Sequence, residues 1–159
     1  MSNTVTAMSA DTRERLSIPM PPNPYSIAIT PDGKTAYVGA GASDSHKNPV
    51  ITPINIATNR TEPAIRLSVN SYDMAIAPDG KLVYIANGNG LGTVTPVDTL
   101  TGRVRPLVWV GGGPTSIAIT PAGRPKHPSL AVNRPPRTRP ALRASCSRPH
   151  PESSSAWPN

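Results

Sequence analysis

Apolar and polar residues alternate in several short stretches of this chain, and the clearest stretch begins at Ser26. In "SIAIT" the isoleucines recur at every second position, a period that indicates a β-strand rather than a helix. The next segment, "TPDGK" (Thr30–Lys34), has the composition of a tight turn, because Pro31 presets φ and Gly33 can adopt the left-handed conformation. With "TAYVG" as the return strand, the stretch predicts a β-hairpin.

The hairpin phrase occurs three times. "SIAITPDGKTAYV" starts at Ser26, "DMAIAPDGKLVYI" at Asp73 and "SIAITPAGRP" at Ser116, so the period is 43 to 47 residues. Between these phrases, "TPINIATNRTEP" from Thr52 aligns without a gap on "TPVDTLTGRVRP" from Thr95. Such a period marks a repeat architecture in which each unit is one supersecondary structure.

The second half of each unit supplies two more predicted strands, Val50–Ile56 and Pro63–Val69 in the first complete unit. Between them, Asn59 in "ATNR" is expected to tolerate a positive φ. Pro53 and its counterpart Pro96 are placed at a strand start or a bulge, because proline cannot donate to the ladder. Four short antiparallel strands per unit match a β-propeller blade, whereas each piece taken alone also fits any β-meander.

These residues resemble the YVTN-type β-propeller repeats in their actinobacterial form. The tetrapeptide of that family stands here as "YVGA" (Tyr37–Ala40) and "YIAN" (Tyr84–Asn87), and "GTVTPVDTLTG" (Gly92–Gly102) is especially close to the family pattern. The resemblance covers about residues 4–123. It implies a propeller fold in a protein that is typically secreted or attached to the cell envelope, without an established activity.

The predicted organisation is an incomplete all-β propeller over residues 1–123, followed by a tail over 124–159. Complete units are expected at about 24–70 and 71–113, and partial units at 4–23 and 114–123. Closed propellers need roughly 4 to 8 blades, so two complete units leave open blade edges. The chain is therefore expected to close by oligomerising, to self-associate through its open edges, or to be a fragment of a longer protein, and the fragment is favoured.

The tail differs from the repeats in composition. Of the formal net charge of +7, residues 1–123 carry nine basic and eight acidic residues, whereas residues 124–159 carry seven basic residues and one acidic residue. Eight of the 21 prolines lie in 125–159, and no return strand is expected after Arg124. Two interpretations remain open, an authentic disordered Pro/Arg-rich segment or an out-of-frame translation.

Composition also bears on compartment and partners. The single cysteine, Cys146, excludes an intrachain disulfide, and the longest clear apolar run, Leu107–Val110, is far shorter than the roughly 18 residues of a membrane span. Asp11 and Glu14 stand where a secretory signal would be apolar, so the protein is expected to be cytoplasmic or to lack its true start. The tail segment "NRPPRTRPALR" has no interleaved aromatics, and specific nucleic-acid binding is not expected.

The motifs that suggest chemistry have structural interpretations. Two of the three histidines, His127 and His150, lie in the tail, and His46 lies in a loop insertion, so no catalytic, cofactor-binding or metal-binding residue is predicted and no cofactor is implied. The glycine-rich segments Gly88–Gly92 and Gly111–Pro114 precede predicted strands, whereas a phosphate-binding loop precedes a helix N-terminus. Both are therefore predicted to be turns.

Repeated residues are expected to do repeated structural jobs. Asp32, Asp79 and Asp98 are predicted to occupy equivalent turn positions, and Tyr37 and Tyr84 to pack between neighbouring blades.

Trp109 replaces Arg66 of the preceding unit and is expected to cover an outer-strand surface.

The function predicted on this basis is non-enzymatic: a scaffold that binds a protein or surface ligand through blade loops, at the cell envelope or outside the cell. The alternative is a remnant of a lactonase-like propeller hydrolase, which a lactone-hydrolysis assay would separate. A weaker alternative is a basic-tail binder, whose affinity for nucleic acid would fall steeply with salt.

Overall fold

The structure is a computed structural model, and it describes residues 3–40, 49–88, 90, 92–120 and the backbone of 130–133. Every regular element in these residues is a β-strand, and none is a helix. The strands form four antiparallel sheets, none of which closes on itself within the described part of the chain. The all-β prediction is therefore confirmed.

The sheets follow one another in chain order and are called here the first to the fourth sheet. The first sheet holds β1 (Thr4–Met8) and β2 (Arg15–Pro19). The second holds β3 (Ser26–Ile29), β4 (Thr35–Ala40), β5 (Val50–Asn55), β6 (Arg60–Thr61) and β7 (Ile65–Arg66). The third holds β8 (Ser71–Ile76), β9 (Leu82–Asn87), β10 (Thr93–Asp98) and β11 (Val108–Trp109). The fourth holds β12 (Ser116–Ile119) and β13 (Leu130–Asn133).

The predicted hairpin is confirmed in the second and third sheets. Ile29 lies opposite Ala36 across β3 and β4, and the turn between them closes with a hydrogen bond from Gly33 N to Thr30 O of 2.8 Å. Gly33 has φ +69°, as the left-handed turn residue requires. Asn59 also has the expected positive φ, of +54°.

The prediction for Pro53 and Pro96 is wrong, because both lie inside a third strand rather than at its start or at a bulge. Pro53 lies opposite Tyr37, and Pro96 lies opposite Tyr84. The Pro53 carbonyl points to the outer side of the sheet, where it accepts a hydrogen bond from Glu62 N at 2.8 Å. In an antiparallel sheet, the N–H and C=O groups of one residue point to the same neighbouring strand. The N–H group that Pro53 lacks would therefore point to the outer side as well. The proline therefore removes no backbone hydrogen bond between β5 and β4.

The outer strand is also different from the prediction. A single strand over Pro63–Val69 is expected from the sequence, but β6 and β7 pair with opposite ends of β5 and are separated by the residues around Pro63. In the third sheet, β11 is equally short, with an isolated bridge between Val97 and Val104. The outer edge is therefore discontinuous where Pro53 and Pro96 lack their donors.

The expectation of no return strand after Arg124 is wrong. β13 pairs antiparallel with β12, from Ser116 opposite Asn133 to Ile119 opposite Leu130. Residues 120–129 separate this pair, whereas only residues 30–35 separate Ile29 from Ala36 in the second sheet. The return strand thus follows a longer connection than a "PDG" turn provides. The rest of the tail lies outside the described residues.

The four sheets stack face to face in chain order, with one apolar cluster between each neighbouring pair. The cluster between the first and second sheets contains Ile18, Met20, Ala36, Val38 and Ile54. The next contains Tyr37, Ile51, Leu67, Met74, Val83, Ile85 and Val97, and the last contains Ala86, Val94 and Ile117. The leading strands β3, β8 and β12 lie in contact along this stack, with β8 in the middle.

Candidate functional site

A groove runs between the second and third sheets at the end where their hairpin turns lie. It has a volume of about 520 Å³ and continues into a neighbouring cleft of about 540 Å³. The two clefts share Thr35, Thr99 and Leu100. We call the whole cleft the turn groove; its first part is lined by Thr30, Pro31, Asp32, Thr35, Pro78, Asp79, Gly80, Thr99 and Leu100.

The two hairpin turns on its walls have the same construction. Asp32 Oδ1 accepts hydrogen bonds from Lys34 N at 3.1 Å and from Thr30 Oγ1 at 2.6 Å. Asp79 Oδ1 accepts the equivalent backbone bond from Lys81 N at 3.0 Å. The Thr30 hydroxyl, followed by Lys34 N, holds the pKa of the Asp32 carboxyl below its ordinary value. Both carboxylates therefore fix their own turns, as the sequence predicts.

Asp98 does not occupy the position equivalent to Asp32 and Asp79, so that part of the prediction is wrong. It ends β10 and starts a second turn, in which Gly102 N donates to its carbonyl at 2.9 Å. The repeat places Asn55 at the same position in the preceding unit, where Asn55 Oδ1 accepts from Thr58 N at 3.1 Å.

The Asp98 side chain carries the densest hydrogen-bond set near the turn groove. Oδ1 accepts from Thr101 N at 3.0 Å, from Thr101 Oγ1 at 3.0 Å and from Leu100 N at 3.2 Å. Oδ2 forms an ion pair with Arg105 Nη2 at 3.0 Å. The Thr101 amide, then Arg105 and the Thr101 hydroxyl, lower the pKa of Asp98 to about 2. The carboxylate is thus a turn anchor and is poorly suited to accept a proton near neutral pH.

The floor of the turn groove joins the two sheets. Thr99 Oγ1 donates to Gly80 O at 2.7 Å within the third sheet, and the phenol of Tyr37 in β4 donates to Thr99 O at 3.1 Å. Burial, followed by the negative charges of Glu62 and Asp98, raises the pKa of the Tyr37 phenol. Tyr37 therefore stays protonated and acts as a hydrogen-bonding strut between sheets, which confirms its predicted packing role.

Tyr84, the counterpart of Tyr37, packs against the cluster between the third and fourth sheets. Trp109 is 69% exposed on β11, the outer strand of the third sheet, and its predicted role of covering an outer-strand surface stays a prediction.

The described residues of both glycine-rich segments connect strands, as predicted for turns. β10 follows Gly92, and β12 follows the Gly111–Pro114 segment. The two turns lie against each other, because Val110 N and Gly111 N both donate to Gly92 O, at 2.8 and 3.0 Å. No helix N-terminus follows either segment in the described structure, so neither has the geometry of a phosphate-binding loop.

The histidines that were candidate metal ligands or catalytic residues cannot be placed in the described structure. His46, His127 and His150 lie outside the described residues. In the parts of the chain that are described, no group of three or more His, Cys, Asp or Glu side chains is placed to hold a metal ion. The described residues also contain no helix that is long and apolar enough to span a bilayer.

Two sets of side-chain hydrogen bonds were not predicted from the sequence. The buried Asn87 amide donates to Thr93 Oγ1 and Thr95 Oγ1, each at 2.9 Å, inside the third sheet. Asp73 Oδ2 accepts a hydrogen bond from Ile117 N at 3.0 Å and so links β8 to β12. The spacing of Thr93 and Thr95 on one face of a strand is a usable signal for the first arrangement, whereas the second depends on tertiary structure.

Among known proteins, the chain resembles solved structures in its fold. No protein-family model matches the chain. No curated protein matches it. Among solved structures, the chain is similar to hydrazine synthase of Kuenenia stuttgartiensis, with a TM-score of 0.64 and 24% identity over 76% of this chain. The match covers 34% of the hydrazine synthase chain, so this protein spans about a third of that structure's length.

Proposed function

We propose that the protein is a β-propeller repeat scaffold of the YVTN type, which binds a protein or surface ligand without catalysing a reaction. Support for the propeller comes from the sheets, which stack in chain order with β3, β8 and β12 side by side. Blades around a common axis have this neighbour relationship, each sheet being covered by the next. The resemblance to the YVTN-type repeats supports a location at the cell envelope or outside the cell.

The observation that carries the non-catalytic proposal is the equivalence of the polar residues around the turn groove. Asp32 and Asp79 accept the same backbone bond in successive units, and Asn55 and Asp98 do likewise. An active centre needs an acid, a base or a nucleophile with different roles. Here Asp32 and Asp79 accept equivalent backbone bonds in neighbouring units, and the side-chain oxygens of Asn55 and Asp98 do the same at the second turn.

One residue at the groove that differs between the repeat units is a large, exposed apolar side chain. Leu100 stands where the preceding unit has Ala57, and its side chain is 92% exposed between the two hairpin turns. Pro31 and Pro78 lie on the two walls beside it. An exposed leucine within an open cleft can contribute about 1.5–3 kcal/mol when a partner covers it. We therefore assign the binding surface to the turn groove, with Leu100 as its apolar anchor.

A phage-displayed library of extended peptides, selected on the immobilised full chain, tests this assignment. Peptides that bind the groove should lose roughly 10- to 100-fold in affinity when Leu100→Ser is introduced. Leu16→Ser is the matched control, because Leu16 is an exposed leucine on β2 of the first sheet, outside the groove. Peptides that bind wild type and both variants equally would contradict the assignment.

A lactone-hydrolysis assay with and without added divalent metal separates the scaffold from the alternative, a remnant of a lactonase-like hydrolase. The proposal expects no turnover above the buffer rate in either condition. Turnover that depends on metal and is lost in Asp98→Ala would overturn the non-catalytic proposal.

A further inference from the structure

The first and fourth sheets contain complementary halves of a complete sheet. "TVTAM" of β1 aligns with "TVTPV" of β10, so β1 and β2 correspond to the third and fourth strands of the third sheet. "SIAI" of β12 repeats the first strand, and β13 returns from it as β9 returns from β8. The first sheet is thus an outer pair of strands, and the fourth sheet is an inner pair.

In each half, one strand lacks the described neighbour that its counterpart in the third sheet has. Among the described strands, β1 pairs with β2 alone, and β13 pairs with β12 alone. Their counterparts β10 and β9 pair directly with each other, from Val94 opposite Ala86 to Asp98 opposite Leu82. An unpaired edge is a template for another strand, and these two edges match in direction and position.

An exposed apolar face lies beside the outer pair. Ile27 and Ile29 of β3 are 54% and 58% exposed, although Met74, at the position equivalent to Ile27, is 5% exposed. Met74 is covered because β3 lies over β8. In contrast, β2 and the residue after it cover β4 and β5 of the second sheet through Ile18 and Met20, and no described strand covers the face of β3 that carries Ile27 and Ile29. By analogy with the third sheet, the strands that would cover this face are an inner pair, equivalent to β12 and β13.

We propose that two copies of the chain complete each other by pairing β13 of each copy with β1 of the other. Each composite sheet then has the order β12-β13-β1-β2, and the two copies form a ring of six sheets, two complete ones from each copy and two composite ones. Six lies within the roughly 4 to 8 blades of closed propellers. Both half-sheets of each chain are used, so the assembly closes as a two-fold symmetric dimer in which no half-sheet is left incomplete.

The proposal fixes a register. By equivalence with β9 and β10, Asn133 of one copy lies opposite Val5 of the other, and Leu130 lies opposite Met8. The partner's β12 and β13 then cover Ile27 and Ile29, in the way that β3 covers Met74. The new interface continues the apolar cluster that already joins the first and second sheets.

Cysteine cross-linking tests the register on the full chain with Cys146→Ser. Val5→Cys is introduced in one preparation and Asn133→Cys in another, so that only a contact between copies can join them. Opposed residues in antiparallel strands have Cα atoms about 4.5–5.5 Å apart, within the range of a disulfide. Mixing under oxidising conditions should yield the heterodimer. Ser17→Cys, one strand further out on β2, should not cross-link to Asn133→Cys.

Sedimentation provides the second readout. Wild type should be a dimer, and Ile27→Asp should raise the dimer dissociation constant by at least about 100-fold, because a carboxylate would be buried at the interface. Leu100→Asp, at an exposed position in the turn groove, should leave the dimer unchanged. A monomeric wild type would overturn the inference and would indicate strands from another protein or segment. Species larger than the dimer would also overturn it.

The dimer inference rests on the proposed propeller arrangement. One measurement shows whether the dimer alone is wrong or the stacking of the sheets is wrong as well. Methionine oxidation by peroxide should be slow at the covered Met74 and fast at Met8, which is 62% exposed. If Met74 is protected and no cross-link forms, the dimer inference alone fails. If Met74 oxidises as fast as Met8, the stacking of sheets fails with it.

Discussion

Thr52 and Thr95 occupy equivalent buried positions in neighbouring sheets, yet their hydroxyl groups have opposite hydrogen-bonding states. Thr95 Oγ1 donates to Asn87 Oδ1 at 3.0 Å, whereas Thr52 Oγ1 has no partner among the described residues. The difference follows from one substitution between the repeats, since Ala40 stands in β4 where β9 has Asn87. One sheet thus has a complete buried polar network, and the other has a remnant of it.

This pair predicts opposite effects of the same substitution. Thr52→Val should be neutral or stabilising by up to about 1 kcal/mol, because it removes a buried hydroxyl without a partner. Thr95→Val should destabilise by about 1–3 kcal/mol, because it deprives the buried Asn87 side chain of a partner. Urea unfolding of the two variants beside wild type measures the difference. Equal losses in both variants would contradict this account.

The low pKa of Asp98 predicts a loss of stability in acid. Because the folded-state pKa, about 2, lies below the ordinary value of 3.8, the carboxylate contributes stability that is fully present above about pH 4. This contribution is lost as the pH falls toward 2. Asp98→Asn should fold at pH 7, as Asn55 does at the same turn position, and should show a flatter decline of stability between pH 4 and 2. Unfolding curves over that range provide the test, and unchanged slopes would speak against it.

Two glycines with the same φ allow the cost of backbone strain to be distinguished from the cost of a steric clash when each is replaced by alanine. Gly90 and Gly92 both have φ +71°, but a Cβ on Gly92 would clash with Gly112 O, while a Cβ on Gly90 would meet no described atom within 4 Å. Gly90→Ala should therefore cost about 1–2 kcal/mol, the penalty of the left-handed conformation. Gly92→Ala should cost clearly more, because the Gly111–Pro114 turn must move. Thermal unfolding of both variants decides whether the two losses differ.

The strut between Tyr37 and Thr99 predicts an effect at neutral pH and another in alkali. Tyr37→Phe should lose about 0.5–1.5 kcal/mol at pH 7, the contribution of an ordinary hydrogen bond. Because the phenol pKa is raised above 10.0 in the folded state, wild-type stability should fall further as the pH rises through that raised pKa. The phenylalanine variant should lack this part of the alkaline decline. Unfolding measured from pH 7 to pH 11 checks both effects.

Local features of this fold could be predicted from the sequence. The hairpin at Thr30–Lys34 follows from residues within one turn, since Pro31, Asp32 and Gly33 each satisfy a local requirement. Burial could not be predicted in the same way. Ile27 and Met74 hold the same position in one phrase, yet one is exposed and the other is covered, because coverage depends on the neighbouring sheet.

The remaining errors have a related cause. Pro53 lies inside a strand because the outer ladder is interrupted beside it, and that interruption belongs to a different strand. β13 forms in a proline-rich region because β12 offers it an edge. At the turn groove, the turn roles of Asp32 and Asp79 could be predicted, whereas the importance of Leu100 in place of Ala57 follows only from its exposure between two turns.

The discontinuous outer edge has a consequence for solubility. A long flat edge strand invites further chains to add on and extend a fibril. Here the perimeter of each complete sheet ends in two-residue strands, and Pro53 and Pro96 withhold a donor just inside them. Lateral growth from the outer rim of the complete sheets is therefore interrupted every few residues, in contrast to the unbroken edge of β1, where an intruding strand could add on.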